Sequence, residues 1–261
     1  MALDKSVIEG MAERLRTAGE TRIAIGPLRD QLPDVAAAIA VQQANTAYWV
    51  ANGRRLIGRK IGLTSKVVQQ QLGVDQPDYG MLFADMLVAD GDEVPLSKVM
   101  QPKVEGEIAL VLKKDLVGVD LTLSDVVAAV DYAVAAIEIV DSRIEKWNIK
   151  IQDTIADNAS SGLFVLGKER RSIEGLDLPA CEMSMLRKGE KVSQGNGAAC
   201  LGNPLNAALW LARTMVEIGA PLKAGDAIMS GALGPMVGVS PGDTVEVQIT
   251  GLGSVRTRFG V

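Results

Sequence analysis

The chain has 261 residues and no histidine, which removes Ser-His-Asp triads, Cys-His pairs, HExxH zinc sites and imidazole acid–base chemistry together. Lys plus Arg number 27 against 32 Asp plus Glu, a formal charge of −5, and aromatics are limited to three Trp, three Tyr and three Phe. Such a chain lacks the basic footprint and stacking platforms that nucleic acid requires. No run approaches the ~18 apolar residues of a membrane span.

In chain order, Val7, Met11 and Leu15 recur at i, i+4 and i+8 and mark the apolar face of a first helix. Asp34 caps a second helix over Val35–Ala51, and Gly53 stops it. Strands are predicted over Leu56–Leu63 and Gln101–Leu112. Thr122 caps a short helix through Val130, and an apolar strand follows over Ala133–Val140. Gly162–Leu166 is a further strand, and Cys181–Leu186 pairs with the residues after Lys188-Gly189. Asn203-Pro204 opens a helix that runs to Ile218 and ends at Gly219. The tail alternates as Val245, Val247 and Ile249, turns at Gly251-Leu252-Gly253 and returns over Ser254–Phe259. The expectation is one α+β domain over 1–261, with a helical section at 1–55 and a mixed or antiparallel β core at 56–261. Met1 to Gly10 carries no secretory pattern. Cys181 and Cys200 form no metal spacing and read as reduced thiols of a cytoplasmic protein.

The sharpest chemical signal is Val104-Glu105-Gly106-Glu107-Ile108. A strand's period of two sends Glu105 and Glu107 to one face, ~7 Å apart. Apolar neighbours desolvate them, so a cation, a basic side chain or protonation must compensate; a solvated face of harmless glutamates is the plain alternative. Glu138 is the only charge within Ala133–Val140, and a lone glutamate in such a run is paired or functional more often than decorative. Were the two strands paired, three carboxylates would converge, an oxygen-only set suited to Mg²⁺ or Mn²⁺. Asp141, opposite in parity to Glu138, stands behind such a site.

Lys60, in Gly58-Arg59-Lys60-Ile61-Gly62-Leu63-Thr64-Ser65, is expected to be partly desolvated with a lowered pKa; the alternative is an edge-strand lysine guarding against aggregation. Gln76-Pro77-Asp78-Tyr79-Gly80 reads as a turn, with a simple Asx-turn the plain alternative for Asp78 taken alone. Asp157-Asn158-Ala159-Ser160-Ser161-Gly162 reads as a polar loop able to cradle a carboxylate. Gly195-Asn196-Gly197 lacks the βαβ context of a dinucleotide loop.

These segments, together with Pro102–Glu107, Glu138–Ile144 and Ile151–Ser160, resemble the fumarylacetoacetate-hydrolase-like superfamily, and within it the dienoate hydratases of bacterial aromatic meta-cleavage pathways. The resemblance covers nearly the whole chain. It implies a rolled mixed β-sheet core and a divalent metal, Mg²⁺ or Mn²⁺, on Glu105, Glu107 and Glu138. It places Lys60 and Asp78 at the reacting carbons and Asn158 and Ser160 near the substrate carboxylate. The implied reaction adds water to 2-hydroxypenta-2,4-dienoate to give 4-hydroxy-2-oxopentanoate. It further implies homo-oligomers and leaves open a neighbouring pathway enzyme as partner. Two rivals stand beside it: the sister 4-oxalocrotonate decarboxylases, and a non-catalytic assembly subunit.

Overall fold

Side-chain caps set the first helices in the computed structural model, which describes residues 3–65, 69 and 76–260. Asp4 accepts from the Ser6 amide at 2.8 Å to open α1 (Lys5–Thr21), and Asp34 accepts from the Ala37 amide at 2.8 Å to open α2 (Val35–Ala51). The chain continues through β1 (Leu56–Gly62), β2 (Asp78–Phe83), β3 (Leu87–Ala89), β4 (Glu93–Val94) and β5 (Lys103–Leu112). Thr122 and Asp125 cap each other reciprocally at the start of α3 (Leu123–Ala129), and β6 (Val130–Val140) follows at once. Then come α4 (Ile151–Ala156), β7 (Ser161–Leu166), β8 (Glu182–Arg187) and β9 (Glu190–Asn196). The last elements are α5 (Pro204–Glu217), β10 (Ala227–Ala232), β11 (Val237–Gly238), β12 (Thr244–Ile249) and β13 (Gly253–Phe259).

Where an element is expected its bounds agree to within a few residues, whereas β2, β3, β4, α4, β10 and β11 lie outside the expected set; two of the boundary differences have local causes. β5 starts at Lys103 because Gln101 is engaged elsewhere: its amide donates to the Asp141 carboxylate at 2.6 Å, and its side chain donates to the Ser142 and Ile144 carbonyls. β1 ends at Gly62 because Leu63 turns into the left-handed region at φ 57°.

The strands form two mixed sheets. The larger runs β2-β1-β10-β5-β6-β7-β3, with β11 beside β5; the smaller runs β4-β13-β12-β8-β9. β1–β10, β3–β7 and β4–β13 are parallel pairs and the rest antiparallel. The main apolar core includes Ile108, Leu110, Ile137 and Ile139 of the larger sheet and Met183, Met185, Val245 and Val247 of the smaller. α1 and α2 pack over a second apolar cluster that recruits Ile144, Ile155 and Ala156 from later in the chain. No helix among the described residues is long and apolar enough to cross a membrane.

Candidate metal centre and active site

Register assembles the acidic cluster. β5 and β6 pair antiparallel with Glu105 directly opposite Glu138 and Glu107 opposite Ala136, so the period of two brings all three glutamates to one face. The other face of β5 meets the smaller sheet. There a Cβ on Gly106 would lie 2.9 Å from Met183 Sδ and 3.1 Å from a Val247 methyl, so only glycine fits between the two glutamates. Glu105, Glu107 and Glu138 each offer a carboxylate oxygen, and these oxygens lie within 4.8 Å of one another. Glu107 and Glu138 are buried at 0% and 1% exposure, and Glu105 is half-buried.

Protein partners leave most of that charge uncompensated. Glu107 Oε2 accepts from the Gly231 amide at 2.9 Å, but Glu107 Oε1 and both Glu138 oxygens have no hydrogen-bond partner among the described residues. Lys60 Nζ stands 3.2 Å from Glu138 Oε1, an ion pair out of hydrogen-bonding alignment. Burial, then the neighbouring carboxylate of Glu138, pushes Glu105 up to about 7, and the same causes push Glu107 well above the ordinary glutamate range. Buried carboxylates whose oxygens lack donors are costly unless a cation joins them. Three oxygen donors and no nitrogen or sulfur fit a hard divalent ion such as Mg²⁺ or Mn²⁺.

Lys60 is desolvated as expected, because β1 lies between β2 and β10 and its lysine is interior rather than at an edge, but the sign of its pKa shift departs from expectation. Burial does disfavour the ammonium, but Glu138, Asp78, Glu105 and Glu107 outweigh it and raise the pKa instead of lowering it. Asp78 also departs: it opens β2 rather than lying in a turn, paired with Gly62. A Cβ on Gly62 would lie 2.1 Å from Asp78 Oδ1 and 3.5 Å from Lys60 Nζ, so glycine makes room for both groups above β1. Burial raises the Asp78 pKa against the pull of Lys60, and its Oδ1 has no hydrogen-bond partner among the described residues.

The loop predicted to cradle a carboxylate is a short turn, and its polar side chains are already engaged. Asn158, Ala159 and Ser160 are all buried and all left-handed, with φ of 55°, 52° and 51°, a conformation that costs non-glycine residues about 1–3 kcal/mol each. Asn158 Oδ1 accepts from the Met81 amide at 2.7 Å and its Nδ2 donates to the Met81 carbonyl at 3.0 Å. Asn158 thus clamps β2 through both ends of its side-chain amide, while Ser160 Oγ faces Thr154 Oγ1 at 3.2 Å. Arg143 holds the turn from behind, pairing with Asp157 and donating to the carbonyls of Asp141, Asp157 and Ser161. Asp141 accepts from the Met100 and Gln101 amides, apart from the glutamates. A cavity of about 480 Å³ is lined by Arg16, Trp49, Arg54 and Arg143 among others, but by none of Glu105, Glu107, Glu138, Lys60 or Asp78.

Sequence reasoning missed Arg143, Gln42 and Asp153. Asp153 accepts from the Leu28, Arg29 and Lys150 amides and pairs with Arg29 at 2.8 Å, tying α4 to the N-terminal section. Its partners Leu28 and Arg29 are more than 120 residues away, beyond any local motif.

Comparison with known proteins agrees with this geometry. Residues 49–260 match the fumarylacetoacetate (FAA) hydrolase C-terminal family. The chain is 58% identical over 253 residues to 2-keto-4-pentenoate hydratase 1 of Dechloromonas aromatica, covering 96% of each. It is 55% identical over 258 residues to 2-keto-4-pentenoate hydratase of Burkholderia vietnamiensis, covering 98% of each. Among solved structures, 4-oxalocrotonate decarboxylase from Pseudomonas putida G7, complexed with magnesium and adipate, superposes with a TM-score of 0.94 at 38% identity, covering 99% of each chain.

Proposed function

The chain belongs to the fumarylacetoacetate hydrolase family, and we propose that within it the protein is a Mg²⁺- or Mn²⁺-dependent hydratase that converts 2-hydroxypenta-2,4-dienoate into 4-hydroxy-2-oxopentanoate in aromatic-compound breakdown. The observation that carries this reading is the nest of three carboxylates with unpaired buried oxygens, in a chain far nearer in sequence to 2-keto-4-pentenoate hydratases than to the decarboxylase that shares its fold.

Glu105, Glu107 and Glu138 hold the cation. When bound, it would supply Lewis acidity to the 2-oxo acid substrate. Three carboxylates and a divalent ion leave about −1, so the substrate anion needs a positive neighbour. Lys60 supplies it and stabilises the negative charge that develops on the 2-oxygen. Asp78, with its raised pKa and free Oδ1, handles the protons. Its acid form delivers one to C5 as the 2-hydroxyl releases its own proton to solvent, giving an α,β-unsaturated 2-oxo acid. Its carboxylate then takes one from the water that attacks C4, which restores the acid form, and a solvent proton taken up at C3 completes a net addition of one water. The 158–160 turn keeps β2, and so Asp78, in place, and its backbone borders the substrate carboxylate.

The same reading takes the chain as one domain that assembles with copies of itself in the cytoplasm. Cys181 and Cys200, both buried and unbridged, suit a reducing compartment. The test is to incubate the purified protein and Mg²⁺ separately with the dienoate and with 4-oxalocrotonate. Loss of the dienol absorbance with 4-hydroxy-2-oxopentanoate seen by NMR is expected. Carbon dioxide release from the second compound without hydration of the first overturns the proposal in favour of the decarboxylase.

A further inference from the structure

Among the described residues β2 ends the larger sheet, and its inner edge bonds to β1. The outer edge carries the backbone groups of Tyr79, Met81 and Phe83, which need partners once buried. Side chains supply them in place of a strand. Asn158 takes both groups of Met81, Met86 Sδ accepts from the Phe83 amide at 3.3 Å, and Gln42 Nε2 donates to the Tyr79 carbonyl at 2.7 Å.

Gln42 stands out among these. It lies on α2 at 0% exposure, on a face shared with Ala37, Ala38 and Val41, and it precedes the segment that matches the family, which begins at residue 49. Its Oε1 is buried without a partner among the described residues. A leucine there would fill the space and leave no polar atom unsatisfied, so the one service of the amide is the bond to Tyr79. The carbonyl it holds belongs to the peptide plane between Tyr79 and Gly80. Asp78 is the next residue on one side of that plane, and on the other Gly80 is the register partner of Lys60. Asp78 Oδ1 has no slack, because it already occupies the space a Gly62 side chain would need. Tilting the Tyr79–Gly80 plane therefore moves the carboxylate relative to Lys60. The three glutamates, on β5 and β6, are untouched by such a tilt.

We infer that Gln42, from the N-terminal helical section, is a positioning residue that acts through the outer edge of β2 to hold Asp78 against Lys60. This rests on the hydratase reading and adds a residue to it. The experiment is a double-mutant cycle between Gln42→Leu and Asp78→Asn on the full-length protein loaded with Mg²⁺. Steady-state turnover of the dienoate is measured alongside Mn²⁺ affinity by electron paramagnetic resonance. Gln42→Leu is expected to lower kcat roughly tenfold to a hundredfold while leaving KM and Mn²⁺ affinity within about twofold. In the Asp78→Asn background the same substitution is expected to change kcat by less than about twofold. An equal loss in both backgrounds, or a loss that follows Mn²⁺ affinity, overturns the inference, because a merely structural residue would act that way. Gln42→Met, closer in shape but equally without a donor, carries the cycle if Gln42→Leu does not fold. Wild-type protein that turns over no dienoate refutes the hydratase reading instead. Amide exchange over residues 78–83 then decides the clamp: faster exchange in Gln42→Leu upholds it, and unchanged exchange overturns it.

Discussion

Stripping the divalent ion turns the acidic nest into a pH-dependent load on the fold. In the metal-free protein the Glu105 carboxyl sits at about 7, against 4.5 for the free side chain, so between those values the folded chain holds a proton that the unfolded chain has released. The stability from that proton is complete below about pH 4.5 and is lost as the pH rises through about 7, the direction for an acid whose pKa folding raises. The displacement corresponds to about 3 kcal/mol, or roughly 6–12 °C in melting temperature for a chain of this size. Asp157, pushed up to about 6 chiefly by burial, adds a loss of the same sign, and subtracting a Glu105→Gln variant removes it. Urea unfolding in EDTA at pH 5 and pH 8 measures the difference. Wild type should lose about 2.5 kcal/mol more than Glu105→Gln across that interval, the remainder being lost already at pH 5, and Mg²⁺ at a hundred times its Kd should return about 2.7 kcal/mol at pH 8. Identical pH dependence in the two proteins, with no stabilisation by Mg²⁺, would refute the convergence of three ionisable carboxylates on one ion.

Three other perturbations separate the parts of the site. Glu138→Gln should weaken Mn²⁺ binding by more than the ~10–100-fold that loss of an outer partner costs, as read by paramagnetic resonance titration. Asp78→Asn should lower kcat by about 10²–10⁴ with metal affinity unchanged; steady-state kinetics with the same titration checks both halves. Gly62→Ala should lower kcat at least ~10-fold, since its methyl would claim the position of Asp78 Oδ1, while circular dichroism shows the sheet intact.

The features that were legible in the sequence are those written in local periodicity. Glu105 and Glu107 declare a shared face through their spacing, Glu138 declares itself by being the only charge in its strand, and Asp34, Thr122 and Asn203 cap helices where the polar-to-apolar change places them. Pairing was conditional at that stage, and the direct opposition of Glu105 and Glu138 resolves it. The less legible features depend on contacts across the fold. The Gln76–Gly80 segment has turn chemistry, yet Asp78 joins a strand because β1 offers it an edge. Asn158 has the polar character of a ligand-binding residue, but Met81 lies within reach of both ends of its amide. For Lys60 the sign of the pKa shift was misread because burial was visible in the flanking residues, whereas the four carboxylates around it come from three other strands.

Gly106 gives the smaller sheet a part in metal chemistry it otherwise lacks. None of the candidate ligands or proton carriers lies on that sheet, yet Met183 and Val247 press into the gap left by the missing side chain between Glu105 and Glu107. They form the floor beneath the two glutamates and fix the stretch of β5 that carries them. Two apolar residues of the smaller sheet thus help to seat a set of ligands to which that sheet contributes no oxygen.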